Sequence, residues 1–284
     1  MADTLEEALR SVLGQTDSSY EIVVIDDGST DSSSAILKSL SEEFPRLRFI
    51  TLTRDSRRKL GETRNASIRA ARGKYCILHI DADDVWESFI PTFTRLFLDI
   101  KSRLFFEDFM LAGGQIQIAP KKLLLSNPYL NIYYGEDRCL WSSLAAVGKF
   151  ISVDHFPMRR RIPLKRNSSK IFKLISSQLS GLICTFSTTS YPCASLLSYY
   201  RILFTSMFER DYSLVLQLTR FLLLPYAFFV GTFVKRYPLI NFYRGNAFDD
   251  CKIDLSRFEK DHLHEFGRLN LSNNERKLFF LEDA

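Results

Sequence analysis

Two short segments of this chain carry residue types and spacings suited to chemistry. The runs Glu21-Ile-Val-Val-Ile-Asp-Asp-Gly-Ser-Thr-Asp31 and Tyr75-Cys-Ile-Leu-His-Ile-Asp-Ala-Asp-Asp84 are each an apolar stretch that empties into clustered carboxylates. A buried parallel strand gives this pattern when it delivers acidic side chains to its carboxyl end, where open α/β sheets hold ligands. The first cluster, with Asp26 and Asp27, can accept hydrogen bonds from a base or ribose. The second, with Asp81, Asp83 and Asp84, can share Mg2+ or Mn2+ with a diphosphate, because such a cation needs few protein carboxylates and completes its shell with phosphate and water oxygens. Each cluster also has a plainer reading as a strand-to-helix turn whose carboxylates cap backbone N–H groups.

The elements that must position these groups follow from periodicity. Leu5, Ala8, Leu9, Val12 and Leu13 recur at helical spacing behind Thr4 and Glu7, a capping-box pair, and Gly14 closes that helix. A strand over 21–26, a helix over 31–42, a strand over 47–53, a helix over 62–72 and a strand over 75–80 then alternate, which predicts parallel pairing in an α/β sheet. The pattern weakens between Trp86 and Tyr134; a helix over 136–147 and a strand over 150–154 close the region.

On these residues the chain resembles the family 2 inverting glycosyltransferases of the GT-A fold. Leu5-x-x-Ala-Leu-x-Ser-Val-Leu-x-Gln leads into the strand ending Asp26-Asp27-Gly28-Ser29, followed in order by Gly61-Glu-Thr-Arg-Asn-Ala66, Asp81-Ala-Asp83 and Gly135-Glu-Asp-Arg138. The resemblance covers roughly residues 3–155. It implies a metal-dependent transfer of a hexosyl group from a nucleotide-diphospho-sugar to a lipid-linked or glycan acceptor, as in cell envelope glycan biosynthesis. It further implies Asp83 as direct metal ligand, Asp81 toward the ribose or a metal-bound water, one aspartate of the Asp26-Asp27 pair, Asp27 in preference to Asp26, toward the base, Arg64 toward the nucleotide, and Asp137, with Glu136 as alternate, as general base. The resemblance also implies an apolar strand ahead of Thr4, ending in a Tyr-Asn type turn, which is not found there. The expectation is an incomplete-looking GT-A sheet, and with it the alternative of a truncated or catalytically dead relative that binds nucleotide sugar or membrane partners.

Bulk properties narrow the classes. The formal charge of +5 is mild and its excess is local: Arg159, Arg160, Arg161, Lys165, Arg166, Lys170 and Lys173 fall between 157 and 173 without an acid. Nucleic acid is not the expected partner, since the aromatic interleaving and groove-reading motifs of that role are missing. The five cysteines have no paired spacing, so neither a zinc site nor a disulfide framework is indicated and a reducing, cytosolic side is expected. No signal peptide is expected, because Asp3, Glu6, Glu7 and Arg10 interrupt any apolar core at the start. His79, inside an apolar strand, reads as a core histidine, and His155 as structural with a phosphate contact as its alternative.

Beyond Pro157 the composition changes. The segment Tyr212–Val234 contains one charge, Arg220, among thirteen Leu, Val and Phe residues. On the insertion scale those thirteen contribute about −4 to −8 kcal/mol against roughly +3 for Arg220, so insertion is narrowly favoured, and a transmembrane helix stands against a buried helix or an interfacial hairpin with 194–208. The organisation is therefore a GT-A domain over 1–156, a basic and apolar membrane-associating helical region over 157–245, and a polar tail over 246–284, working at the cytoplasmic face of the cell membrane.

Overall fold

The computed structural model describes residues 2–78, 80–104, 108–132, 135–162, 179, 182–183, 186–187, 192–206, 214–234 and 246–280. His79, Lys165, Arg166, Lys170 and Lys173 lie outside the described residues, as do 212–213 at the start of the apolar segment.

The first helix, α1 (Ala2–Leu13), buries Leu5, Ala8, Leu9, Val12 and Leu13, the stripe that the spacing predicts. Thr4 is not its cap. It lies within the helix, is buried, and its hydroxyl donates to the Ala82 carbonyl at 2.9 Å, tying α1 to the second acidic cluster. Next come β1 (Ile22–Asp26), α2 (Ser33–Glu43) and β2 (Leu47–Thr51), with β1 and β2 parallel in the register Ile22↔Leu47 through Asp26↔Thr51. The helix α3 (Leu60–Ala70) leads to β3 (Tyr75–Leu78) and then β4 (Asp84–Trp86).

The stretch whose pattern is weak in sequence holds α4 (Ile90–Arg103), β5 (Met110–Ala112), β6 (Gln117–Pro120) and α5 (Lys121–Ser126). Helix α4 supplies the centre of the main core, with Phe93, Phe97 and Ile100 wholly inaccessible beside Phe89, Phe109 and Ile118. Helix α6 (Glu136–Ala145) and β7 (Phe150–Ser152) complete the domain. One sheet runs β3-β6-β5-β7, antiparallel except where β5 meets β7; β5 and β6 are joined by a turn closed by Gly113 N–H to the Ile116 carbonyl, which forces the antiparallel sense. Strands β1 and β2 form a separate parallel pair. Among the described residues no strand is hydrogen-bonded between β1 and β3.

Past β7, the strand β8 (Arg159–Arg161) pairs antiparallel with β4. Helices α7 (Pro192–Ser206) and α8 (Leu214–Phe229), the latter continuing as a π-turn over Val230–Val234, pack on each other around Leu182, Phe186, Leu203, Leu224 and Ala227. Segment 246–284, expected as a polar tail, is corrected by the structure. Its elements α9 (Ala247–Asp250), α10 (Leu255–Phe266) and α11 (Asn273–Arg276) return to the first domain, where Leu255, Leu269, Phe279 and Phe280 enter the main core. Polar contacts fix the return: buried Arg103 donates to the carbonyls of Gly267 and Arg268, and Thr92 donates to Glu275. Some of the charged residues that make this stretch look polar are paired, as in Glu259 with Arg276 at 2.7 Å.

Candidate active site

The site is built around α3, because its motif residues each do a separate positioning task. Gly61 is required by close approach: a Cβ there would lie 1.8 Å from the Leu130 carbonyl oxygen, while the Gly61 N–H donates to Ile132. Four residues on, the buried Asn65 amide donates to the Tyr129 carbonyl and accepts from the Tyr129 N–H, both at 2.9 Å. Glycine and asparagine together hold the 129–132 strap that leads into Gly135, whose φ of 75° turns the chain into α6.

Between them, Thr63 and Arg64 face the two acidic groups. The Thr63 hydroxyl lies 3.4 Å from Asp27, whose carboxylate is also ion-paired with Arg58. Arg64 lies 3.5 Å from Asp81 and 3.2 Å from Glu136, and its guanidinium is 5.7 Å from the centre of the Tyr129 ring. Burial opposes the charge on Arg64, but Glu136, Tyr129 and Asp81 outweigh it and hold the guanidinium above its ordinary value. Burial likewise pushes the Tyr129 phenol well up.

Asp26 ends β1 buried, with one carboxylate oxygen accepting from the Ser29 N–H at 2.9 Å. Gly28, at φ 73°, lets the chain turn against Arg54, whose Cβ a side chain at 28 would strike at 2.9 Å. Asp81, Asp83 and Asp84 follow β3 and can each present an oxygen within 4.8 Å of the others. Three hard oxygen donors on one turn are a set that fits Mg2+ or Mn2+. Asp84 is fully buried and Asp83 is 13% exposed, which leaves Asp81 the most open of the three.

Two arginines of the basic run expected to associate with a membrane lie here as well. Arg159 reaches Asp84 at 3.0 Å, and Arg161 reaches Asp84 at 3.0 Å and Asp81 at 3.1 Å. Arg160, on the other face of β8, pairs with Glu7. The first three charges of the basic run are thus held by acids of the domain. The hydrogen bond to Asp84 raises the Arg161 guanidinium, with burial working against it and the charge of Asp84 adding to the rise. Glu136 is buried against Arg64, whereas Asp137, the next residue, is half-exposed. The structure therefore brings Arg64, Asp81, Asp83 and Glu136 into one constellation, joined by Thr63 and Arg64 of α3 to Asp27. Arg58, Thr63, Tyr129, Arg159 and Arg161 are the additions.

Comparison with known proteins agrees in the same region. Residues 2–99 match the profile described as Glycosyl transferase family 2. The chain is 42% identical over 83 residues to the succinoglycan biosynthesis protein ExoO of Rhizobium meliloti, covering 29% of this chain and 22% of that protein. It is 27% identical over 119 residues to the UDP-Glc:alpha-D-GlcNAc-diphosphoundecaprenol beta-1,3-glucosyltransferase WfaP of Escherichia coli, covering 39% and 45% respectively. The first of the curated relatives it matches are spanned for about a quarter of their length. The mannosyltransferase PcManGT of Pyrobaculum calidifontis, solved with GDP-Man and Mn2+, superposes with a TM-score of 0.55 over 84% of this chain and 85% of that one, at 15% identity. The fold is thereby the same, the GT-A fold that the motifs lead one to expect.

Proposed function

We propose that this chain, whose residues 2–99 match the glycosyl transferase family 2 profile, transfers a sugar from a nucleotide-diphospho-sugar to a lipid-linked or glycan acceptor. The observation that carries this reading is that Arg64 bridges Asp81 and Glu136, which sets the candidate cation turn of Asp81, Asp83 and Asp84 beside a candidate base motif. One aspartate of the Asp26-Asp27 pair at the exit of β1, Asp27 in preference, hydrogen-bonds the base, and Asp81 lies toward the ribose or a metal-bound water. Asp83 is the direct metal ligand, with Asp81 beside it. When bound, Mg2+ or Mn2+ would neutralise charge gathering on the departing nucleoside diphosphate.

Asp137 takes the proton from the acceptor hydroxyl as it attacks the anomeric carbon, with inversion. Its partial exposure supports this choice over Glu136, whose carboxylate is buried and engaged by Arg64. If the acceptor is a lipid phosphate, already anionic, Asp137 positions it instead.

The helical region lends itself to work at the cytoplasmic face of a membrane. Its Gln217–Val234 helix is long and apolar enough to span one. Exposed Leu222, Phe229 and Phe233 give the α7–α8 hairpin an apolar surface that would also suit the interface. A second reading, a protein that binds nucleotide sugar without turnover, draws its support from the absence of any described strand bonded between β1 and β3.

Binding of a panel of nucleoside diphosphates with and without Mn2+, then turnover with the preferred sugar donor, tests the assignment. Metal-dependent binding and transfer should both vanish in Asp83→Ala while the fold is kept. Transfer that survives in that variant or in excess chelator sinks the metal-dependent mechanism; binding without transfer supports the second reading.

A further inference from the structure

The register of β4 against β8 sets Arg161 opposite Asp84 and Arg159 opposite Trp86, with Arg160 between them. Alternation along a strand puts Arg159 and Arg161 on one face. The Ile162 N–H extends the ladder to the Asp83 carbonyl at 2.7 Å, which fixes the backbone of Arg161 at the acidic turn. From there one guanidinium meets all three carboxylates: Asp84 at 3.0 Å, Asp81 at 3.1 Å and Asp83 at 3.6 Å. The oxygens it engages belong to the same three side chains that form the candidate cation set. Asp84's second oxygen is held by Arg159 at 3.0 Å.

We propose that Arg161 is the resident counter-cation of this turn, and that a divalent metal binds by exchange with its guanidinium. This rests on reading Asp81, Asp83 and Asp84 as the metal site. Three carboxylates this close repel one another; Arg159 on Asp84 and Arg64 on Asp81 offset part of that repulsion, and Arg161 is the cation that reaches all three. A divalent ion at the same oxygens cannot share the space with the guanidinium, and it neutralises more of the charge. Arg161 has somewhere to go, since its side chain is 55% exposed, whereas Arg159 is 17% exposed and stays with Asp84. Arg161 is thus a positioning residue: it keeps the carboxylates converged without metal, and its displacement is a cost subtracted from metal affinity.

Mn2+ binding to the full-length protein, followed by electron paramagnetic resonance of the free ion, tests the exchange. Arg161→Gln should bind Mn2+ roughly five- to tenfold more tightly than wild type, the range expected from removing a partly exposed competing charge. Arg161→Lys should stay near wild type, and the gap should narrow as salt is raised. Equal affinity in wild type and Arg161→Gln, with binding abolished by Asp83→Asn, overturns the exchange and leaves the metal site standing. Weaker binding in Arg161→Gln overturns it too, making the guanidinium a helper of the cation. No Mn2+ binding in any variant overturns the metal reading and the exchange with it. Should Arg161→Gln fail to fold, the arginine Nε–Hε resonance of Arg161 in wild type, identified by its loss in Arg161→Lys, decides. It should move on Mg2+ addition, and an unmoved resonance at saturating Mg2+ refutes the proposal.

Discussion

Arg64 and Glu136 form an ion pair at 3.2 Å in which neither side chain has much access to water. A buried pair of this kind contributes little net stability when whole, but removing one partner leaves a desolvated charge. Arg64→Ala should therefore destabilise the protein by about 3–5 kcal/mol in chemical denaturation, and adding Glu136→Gln should recover part of that loss. A single variant within about 1 kcal/mol of wild type, the value expected of exposed pairs, would show that water reaches the pair.

A base contributes to the transition state rather than to donor affinity. Asp137→Asn is expected to keep nucleotide affinity and lose about 10² to 10⁴ in turnover. If turnover instead survives there and is lost in Glu136→Gln, the base is the buried carboxylate; if both variants are active, no carboxylate base is needed.

Membrane association through the helical hairpin should depend on its exposed apolar residues. Leu222, Phe229 and Phe233 are between 58% and 77% exposed, so replacing them with Glu leaves the packed side of the hairpin intact. Wild type should resist salt washing and come off membranes only with detergent, while Leu222→Glu/Phe229→Glu/Phe233→Glu should be released by buffer. A wild-type protein that is monodisperse without detergent refutes the association.

His155 gives the fold a pH dependence of known sign. Its ring packs 4.9 Å from Phe89 and against Phe93, its Nδ1 contacts the Phe156 carbonyl, and Nε2 is buried without a partner. Burial lowers its pKa below 6.5, with Arg159 acting in the same direction and the Phe156 contact and Asp154 opposing. The unfolded chain binds the proton more readily, so this contribution is present above pH 6.5 and is lost as pH falls through the folded value. Melting temperature should drop between pH 7 and pH 5 in wild type, and drop less in His155→Gln. Parallel curves for the two proteins would remove His155 as the cause.

The parts of this fold legible in sequence are those set by local periodicity. Helix α1, the strand Ile22–Asp26 and the helix carrying Arg64 lie within a few residues of where apolar spacing puts them. The same spacing exposes Asp26, Asp81 and Asp83 as strand-end carboxylates. What was not legible depends on pairing across long separations. A run containing Arg159 and Arg161 looks the same whether it faces lipid or neutralises Asp84, because the partner lies 75 residues away. Leu255, Leu269, Phe279 and Phe280 are too sparse to announce a core contribution, and among the charges between them Glu259 pairs with Arg276 while Glu275 accepts from Thr92 of α4. Tyr129 is held by Asn65, a contact that no spacing rule foresees.

The return of residues 246–280 into the first domain sets an order of events during synthesis. Phe279 closes over Phe89 and Phe93, so the main core stays open until residue 279 has left the ribosome. At about 5–20 residues per second, the stretch from residue 162 to residue 246 keeps that core waiting for several seconds. The apolar helix ending at Val234 emerges within that interval, before the domain can close. Any partner of this helix would therefore meet it before the core is complete, and a nascent chain halted near residue 240 would present an unfinished core beside an apolar hairpin.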